Sequence, residues 1–156
     1  MSKKNYQIEG FDPKKVCRIM AKGTPVSLKY AVELLREIKG KPVSKAEELI
    51  NRILEKKDFL PLRKYKRRVG HKKGEAKSFT KTGKYPERLC TVFLGLLSNL
   101  RANADYKGMN SEKLLLLHGF ASEGYRRYSN QSQGRISGKR RRKKSCHIEL
   151  IALEAA

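Results

Sequence analysis

Basic side chains are the most abundant groups with binding chemistry in this 156-residue sequence: 37 Lys and Arg stand against 15 Asp and Glu, a formal net charge of +22. A first basic segment, Lys56–Arg88, has 13 basic and three acidic residues. A second, Gly124–Lys144, which we call the arm, has nine basic and no acidic residues. Such charge repels itself unless a polyanion neutralises it, so nucleic acid or an anionic membrane is the expected partner.

Aromatic rings lie among the cations of the first basic segment, at Tyr65, Phe79 and Tyr85. Rings beside Arg or Lys can stack on unpaired bases while the cations contact phosphates. The pattern therefore favours RNA binding, and the alternative is a solvated linker that carries scattered rings. The candidate RNA-binding residues of this segment are Arg63, Lys64, Lys66, Arg67, Arg68, His71, Lys72 and Lys73.

Metal-ligand patterns are missing from the sequence. It has no Cys-x-x-Cys pair, and His71, His118 and His147 are far apart along the chain. The adjacent Cys146-His147 would point to opposite faces of a strand, which is poor geometry for one metal ion. We therefore expect no metal site and no cofactor.

Catalytic patterns are missing as well. Gly134–Lys139 has three residues between its glycines where a phosphate loop has four, and Arg140 takes the place of the magnesium-binding Ser or Thr. No serine lies in a Gly-x-Ser-x-Gly elbow. Acids such as Glu33, Glu37 and Glu47 are predicted to lie on helix surfaces, where they aid solubility and intrahelical pairing. We expect a protein that is not an enzyme.

Membrane and secretory segments are not predicted. The longest apolar stretch, Val92–Leu97, has six residues, whereas a bilayer-spanning helix needs about 20. The start, Met1–Tyr6, has no apolar run behind its positive charge, as a secretory signal would. We expect a cytosolic protein in which Cys17, Cys90 and Cys146 remain reduced thiols.

Three amphipathic helices are predicted to form the body that positions the basic segments. Ser27 can cap the first helix, a Ser44/Glu47 capping box opens the second, and the third begins with Pro86 and ends before Gly108. Their apolar faces comprise Leu28, Ala31, Val32, Leu35 and Ile38 in the first, Ala46, Leu49, Ile50, Ile53 and Leu54 in the second, and Leu89, Val92, Phe93, Leu96, Leu97 and Leu100 in the third.

Strands are predicted at Leu114–Phe120 and His147–Leu153, and Pro13–Met20 is either a helical turn or a strand. About twenty-five residues with almost no apolar content separate the first two. If those strands pair, the chain between them must leave and return to nearly the same place as a long hairpin or loop, which is generally functional or disordered. Its candidate RNA-binding cations are Arg126, Arg127, Arg135, Lys139, Arg140, Arg141, Arg142, Lys143 and Lys144.

The arrangement of charge favours structural RNA among the polyanions. Membrane binding would need cations opposite a continuous apolar face on one helix, and these segments lack it. Irregular basic arms cannot read a DNA major groove as a rigid helix does. They can order between RNA helices, where phosphates are closely spaced. The alternative is a free-standing, chromatin-like nucleic-acid-binding protein.

An ordered set of short motifs resembles the universal large-subunit ribosomal protein twenty-two family along nearly the whole chain. The closing run Ser145–Ile151 is the longest of them, and Val69–Lys72 is similar to the archaeal rather than the eukaryotic branch. The other matching segments are Ile38–Lys41, Pro61, Arg63–Tyr65, Gly83–Pro86, Asn99–Asn103 with Asp105, and Gly134–Ile136. Each motif is weak alone, but their order is specific.

This resemblance implies an α+β fold, in which about three helices pack on a small antiparallel sheet with a long projecting β-hairpin and a basic loop insertion. The single domain would span residues 1–156, the insertion residues 60–85 and the hairpin residues 120–146. The implied function is a structural constituent of the large ribosomal subunit, in the cytoplasm. Its partners would be ribosomal RNA, neighbouring large-subunit proteins and, transiently, the nascent peptide, because the family's hairpin lines the exit tunnel.

The implied hairpin tip comprises Asn130, Gln131, Ser132, Gln133 and Gly134. Arg126, Arg127 and Arg135 are at basic positions that resemble those of the family. After Ile136 the sequence departs from the family's mostly polar pattern, since Lys139–Lys144 are six consecutive cations.

Overall fold

The structure is a computed structural model that describes residues 6–8, 10–12, 15–65, 67–73, 80–135 and 137–155. In this part of the chain the helices are α1 (Leu28–Ile38), α2 (Val43–Leu54) and α3 (Glu87–Tyr106). The strands are β1 (Val16–Thr24), β2 (Leu60–Pro61), β3 (Gly83–Lys84), β4 (Leu114–Glu123), β5 (Arg127–Asn130), β6 (Arg140–Lys143) and β7 (Cys146–Glu154). The predicted α+β class is confirmed.

An antiparallel sheet of strand order β1-β7-β4 forms one layer of the body. The central strand β7 is the last in sequence, and its apolar residues from Ile148 to Ala152 are buried. On one side of β7, Val16 of β1 lies opposite Leu153. On the other side, Glu123 of β4 lies opposite Cys146. Of the two alternatives for the segment before Met20, the strand is therefore the one that forms.

The helices cover this sheet with the faces that their periodicity predicts. α1 packs on β4, and α3 packs on both β1 and α2. Phe93 in α3 is fully buried in the shared core. The helix residues that the core buries most deeply are Ala31, Leu34, Leu35, Ile38, Val43, Ala46, Ile50, Ile53, Leu89, Cys90, Phe93, Leu97, Leu100 and Ala104.

The start of α1 agrees with the prediction, since Ser27 precedes its first residue, although Ser27 makes no side-chain cap bond. The starts of α2 and α3 differ from the prediction. α2 begins at Val43 after Pro42, and neither end of the predicted Ser44/Glu47 capping box makes a side-chain cap bond. The start is fixed instead by tertiary pairing, because Pro42 bridges to Leu115 of β4. In α3, Pro86 has a non-helical ψ of 70° and precedes the first helical residue.

The three cysteines are free and buried in the core. Burial raises the pKa of the Cys90 thiol to about 11 and raises the pKa of the other two as well. A buried thiol that stays protonated behaves as a small apolar side chain. None of the helices in the described part of the chain combines the length and apolar character that crossing a bilayer requires.

His118 in β4 makes the stability of this body depend on pH. Burial, with the positive charge of Lys39, lowers the pKa of His118, although Glu149 opposes the shift. An unfolded histidine has a pKa of about 6.5. As the pH falls below that value the unfolded chain takes up a proton before the folded chain does, so stability present above about pH 6.5 is lost on acidification.

We expect the urea midpoint of the wild type, followed by circular dichroism, to fall more between about pH 7.5 and 5.5 than that of His118→Gln. The comparison is made within each protein, so a uniform loss of stability in the variant does not affect it. Equal falls in the two proteins would contradict the prediction.

Candidate nucleic-acid interface

The arm continues the β4–β7 hairpin beyond the sheet with a change of register. Between the last pair of the sheet and the pair Arg127–Lys143, the outgoing strand has three residues and the returning strand has two. One extra residue bends a strand and increases its twist, so the arm is re-aimed at this point. Gly124 permits the close approach, because a Cβ there would lie 2.6 Å from the Ser145 Oγ.

Cross-strand partners in the arm share a face of the two-stranded ladder. One face carries Tyr128, Asn130, Arg140 and Arg142, and the other carries Arg127, Ser129, Arg141 and Lys143. The Arg140 guanidinium lies 3.9 Å from the centroid of the half-exposed Tyr128 ring, a cation–π contact. Both faces are therefore basic, and one also presents a ring.

The electrostatics of the arm favour a bound polyanion. Arg127 lies directly opposite Lys143, and like charges in that position destabilise a ladder. An isolated two-stranded hairpin is at best marginally stable in water. Phosphates bound along the arm would remove the repulsion and supply partners for its cations.

Glu123, the last acidic residue before the arm, pairs with the first cation. Arg126 Nε donates to Glu123 Oε1 at 2.6 Å, and this hydrogen bond lowers the pKa of the Glu123 carboxyl. Among the described residues, Arg126 is thus the one arm cation in an ion pair, while the charges of Arg142 and Lys144 also help to lower the pKa of Glu123. The other arm cations, from Arg127 to Lys144, are exposed.

The arm's turn spans residues 131–139. Asn130 is paired with Arg140 at the end of β5, so Gln131–Gly134 form the first half of the turn. The Gln131 N–H donates to the Lys139 carbonyl at 3.2 Å, and the Gly138 N–H donates to the Gln131 carbonyl at 2.7 Å. Ile136 lies outside the described residues. The exposed Arg135 adds a cation near the tip.

A cavity of about 310 Å³ lies at the foot of the arm. Its lining joins the exposed Tyr125 ring to Arg127 and Lys144, with His147 from β7 beside them. His147 is held in place, since its Nδ1 accepts the Gly23 N–H at 3.0 Å. A ring flanked by cations is suited to stack a base and contact its phosphate.

The first basic segment is tied to the body at both ends rather than free throughout. Leu60 and Leu62 are fully buried, β2 pairs with β3, and the Leu62 N–H donates to the Thr82 carbonyl at 3.1 Å. His71 bridges to Thr82 from farther out along the loop. These contacts hold the loop against the body although its own sequence has no periodic apolar face.

Glu33 in α1 anchors the start of this loop, which corrects the prediction that it lies on a helix surface. Its side chain is only 1% exposed. Its carboxylate accepts backbone N–H bonds from Arg63 at 3.3 Å, Lys64 at 2.7 Å and Tyr65 at 2.6 Å. Burial is tolerated because the carboxylate oxygens replace water with these donors.

The predicted basic residues of the loop differ in the contacts that they already make within the protein. Arg63 Nη2 is 3.0 Å from Glu37 Oε1, so that cation is partly neutralised. Arg67 Nε donates to the Arg63 carbonyl. Lys64 lies 5.5 Å from the Tyr65 ring and Lys72 lies 5.7 Å from the Tyr85 ring. Arg68, His71 and Lys73 are exposed, whereas Lys66 and Phe79 lie outside the described residues.

Two basic residues that sequence reasoning missed, Arg36 in the last turn of α1 and Lys39 directly after it, lie beside Lys64. Their spacing of three residues places both at the C-terminal end of α1, where both are exposed. That spacing is a signal the sequence contains, but their proximity to Lys64 arises only on folding. In the part of the chain that the structure describes, no three His, Cys, Asp or Glu side chains group as metal ligands.

Comparisons with known proteins give matches over nearly the whole chain. A sequence model of the family described as ribosomal protein L22p/L17e matches residues 11–152. A relative from Methanococcus aeolicus, named large ribosomal subunit protein uL22, is 36% identical over 156 residues, covering 99% of each chain. Proteins of the same name from Cenarchaeum symbiosum and Archaeoglobus fulgidus are 35% and 34% identical, over 96–97% and 97% of the chains respectively.

Proposed function

The chain belongs to the ribosomal protein L22p/L17e family, and from this premise we propose that it binds ribosomal RNA through the arm and the first basic segment, with the hairpin lining the nascent-peptide exit tunnel. It is a structural, non-enzymatic constituent of the large ribosomal subunit, in the cytoplasm, and it is similar to the archaeal members. The proposal concerns which residues meet the RNA and where the hairpin lies.

The observation that carries the proposal is the exposure of the arm's cations on both faces of a ladder that extends past the body. From Arg127 to Lys144 every described cation is exposed, and none lies within ion-pair distance of an acidic side chain among the described residues. Closely spaced phosphates are the partners that such a surface lacks. Ribosomal RNA is therefore the proposed ligand of Arg127, Arg135 and Lys139–Lys144.

The first basic segment contributes a second RNA contact at the body. Arg68, Lys72 and Lys73 present cations, His71 adds an exposed imidazole, and Lys72 lies beside the Tyr85 ring. Because this loop is tied down at both ends, less ordering entropy is lost when it binds than for a free linker. Lys66 is included in the proposed contact by its place in the same run of cations.

A narrow two-stranded hairpin with a polar turn is suited to lie with its ladder between RNA helices and its turn at the wall of the tunnel. Gln131, Ser132, Gln133 and Gly134 in the first half of the turn carry no charge, whereas Arg135 and Lys139 follow in the rest of it. We place the uncharged first half of the turn at the tunnel wall, with Arg135, Lys139 and the cations of the ladder in RNA. Neighbouring large-subunit proteins and, transiently, the nascent peptide are the further partners that follow.

The test replaces Arg140, Arg141 and Arg142 together by Gln. Each lost phosphate contact should reduce the slope of log affinity against log salt concentration by about 0.7–0.9, so the triple variant should lose about 2–3 units of slope. RNA affinity is measured by filter binding across a salt series. In cell extract, the wild type should sediment with the large subunit at high salt and the variant should be released at lower salt.

The matched control replaces three exposed cations of the body, Lys15, Lys45 and Lys113, by Gln, which should change the slope by less than about one unit. An unchanged slope in the arm variant would show that those arginines stay solvated. Absence of the wild type from the large subunit, or equal affinity for duplex DNA and folded RNA at one salt concentration, would instead favour a free-standing nucleic-acid-binding protein.

A further inference from the structure

A cavity of about 450 Å³ lies where α1, β4 and the start of the first basic segment meet. Its floor is apolar, made by Val32 and Leu35 of α1 with Gly119 and Ala121 of β4. Gly119 lets the helix lie against the strand, because a Cβ there would be 2.6 Å from Leu35 Cδ2. The volume falls within the ~300–1,000 Å³ typical of small-ligand sites.

Two half-buried rings line this cavity, Tyr65 from the loop and Phe120 from β4. Half-buried rings offer a face to a ligand while their other side is held by the protein. Base stacking on such rings contributes about 1–3 kcal/mol per base and accepts any base. The rings therefore suit the flat face of a nucleobase.

Three cations complete the cavity: Arg36 from α1, Lys39 directly after the helix, and Lys64 from the loop. All three are exposed, and no acidic side chain shares the lining. The acids nearest in sequence are already engaged: Glu37 pairs with Arg63, and Glu33 is buried and accepts three backbone N–H bonds. The cavity thus joins an apolar, ring-lined floor to a positively charged side.

We propose that this cavity binds one unstacked nucleotide of RNA, its base against Tyr65 and Phe120 and its phosphate at Arg36, Lys39 and Lys64. The inference rests on the proposed RNA-binding function and adds to it a site for a single extruded base. A base within a duplex cannot enter, since both of its faces are already stacked. The ligand is a single-stranded or bulged nucleotide.

An extended peptide is the competing occupant, because β4 is an edge strand of the sheet. Peptide addition would rely on the backbone groups of that edge and would leave the three cations without acidic partners. A nucleotide uses the rings and the cations together. Charge complementarity therefore favours the nucleotide.

Glu33 is the positioning residue for this site. By accepting the Lys64 and Tyr65 N–H groups at 2.7 and 2.6 Å, its carboxylate fixes the backbone that carries one ring and one cation of the cavity. The site thus depends on a buried acid that does not itself line it.

The test is an NMR titration of the full-length chain with adenosine 5′-monophosphate, with adenosine and ribose 5-phosphate as separate probes. We expect the shifts to centre on the amides of Gly119, Phe120 and Ala121, with the nucleotide binding at least tenfold more tightly than either fragment. Tyr65→Leu should weaken nucleotide binding about 5- to 150-fold, the equivalent of one lost stacking contact.

Two further variants make the result specific. The double variant Arg36→Gln with Lys39→Gln changes two exposed residues at the C-terminal end of α1, and it should weaken binding of the nucleotide but not of adenosine. Tyr106→Leu, at a tyrosine 93% exposed on α3, should change neither. The proposal would be overturned by shifts centred on other residues, by ribose 5-phosphate binding as tightly as the nucleotide, or by undiminished nucleotide binding in Tyr65→Leu. An extended peptide that displaces the nucleotide equally well from Tyr65→Leu and Tyr106→Leu would also overturn it.

Failure of this site is distinguishable from failure of the proposed function. The salt dependence of RNA affinity that the arm confers is measured on the same protein. A normal slope with no nucleotide bound at Gly119 would reject the cavity alone. Loss of both would reject RNA binding as a whole.

Discussion

Phe93→Ala lowers the free energy of unfolding by about 3–5 kcal/mol, the usual cost of emptying a buried aromatic site. The Phe93 side chain is fully buried, and α3 packs on α2 on one side and β1 on the other. The residues around Phe93 belong to these packed helices and to the sheet, so they can relax only partly into the space that the ring leaves. The measurement is urea unfolding of the isolated chain followed by circular dichroism.

The matched control is Tyr106→Ala, which removes a ring of similar size from the last turn of the same helix. Tyr106 is 93% exposed, so its loss should change stability by no more than about 0.5 kcal/mol. Should Phe93→Ala fail to fold, Phe93→Leu keeps most of the volume and should cost less than about 1.5 kcal/mol. A cost under about 1 kcal/mol for Phe93→Ala would contradict a two-sided core at this position.

Glu33→Ala lowers the free energy of unfolding by about 2–4 kcal/mol. The substitution removes a carboxylate that accepts three backbone N–H bonds, and an unsatisfied buried donor costs about 1–3 kcal/mol. The total stays below the sum of three such costs because the loop can open toward solvent at the exposed Lys64. Hydrogen exchange of the Arg63, Lys64 and Tyr65 amides should quicken more than that of the α3 amides.

Glu37→Gln is the control for this prediction, since it lies one turn along the same helix. Its carboxylate pairs with Arg63, whose side chain is 39% exposed, and ion pairs of this kind contribute about 0–1 kcal/mol. Glu33→Gln should fall between the two, because its amide oxygen can still accept the shorter bonds. If Glu33→Ala cost no more than Glu37→Gln, the carboxylate would not be the anchor of the loop.

Glu33 also shows why helical periodicity locates apolar faces but misjudges single polar residues. In α1 the predicted Ala31, Leu35 and Ile38 are buried. Glu33 is buried as well, because a segment 30 residues later brings three unpaired N–H groups to it. No local pattern contains that partner.

The cap residues illustrate the same limit at the ends of helices. Ser44 and Glu47 have the spacing of a capping box, yet α2 begins at Val43 because Pro42 bridges to Leu115 in a distant strand. A capping bond is worth about 1 kcal/mol, and a start fixed by sheet pairing can override it. In α3, Pro86 likewise precedes the first helical residue by one position instead of occupying it.

The sequence by itself determined the helices, the charge of the first basic segment and the arm, and the family. Periodicity, composition and an ordered set of motifs are properties of neighbouring residues. Tertiary structure alone decided which cations share a face of the arm, since 21 residues from Gly124 to Lys144 carry almost no apolar pattern to set a register. It also decided the cavity beside α1, whose rings and cations come from Arg36, Tyr65 and Phe120 and their neighbours. Segments so far apart along the chain meet only when the core beneath them forms.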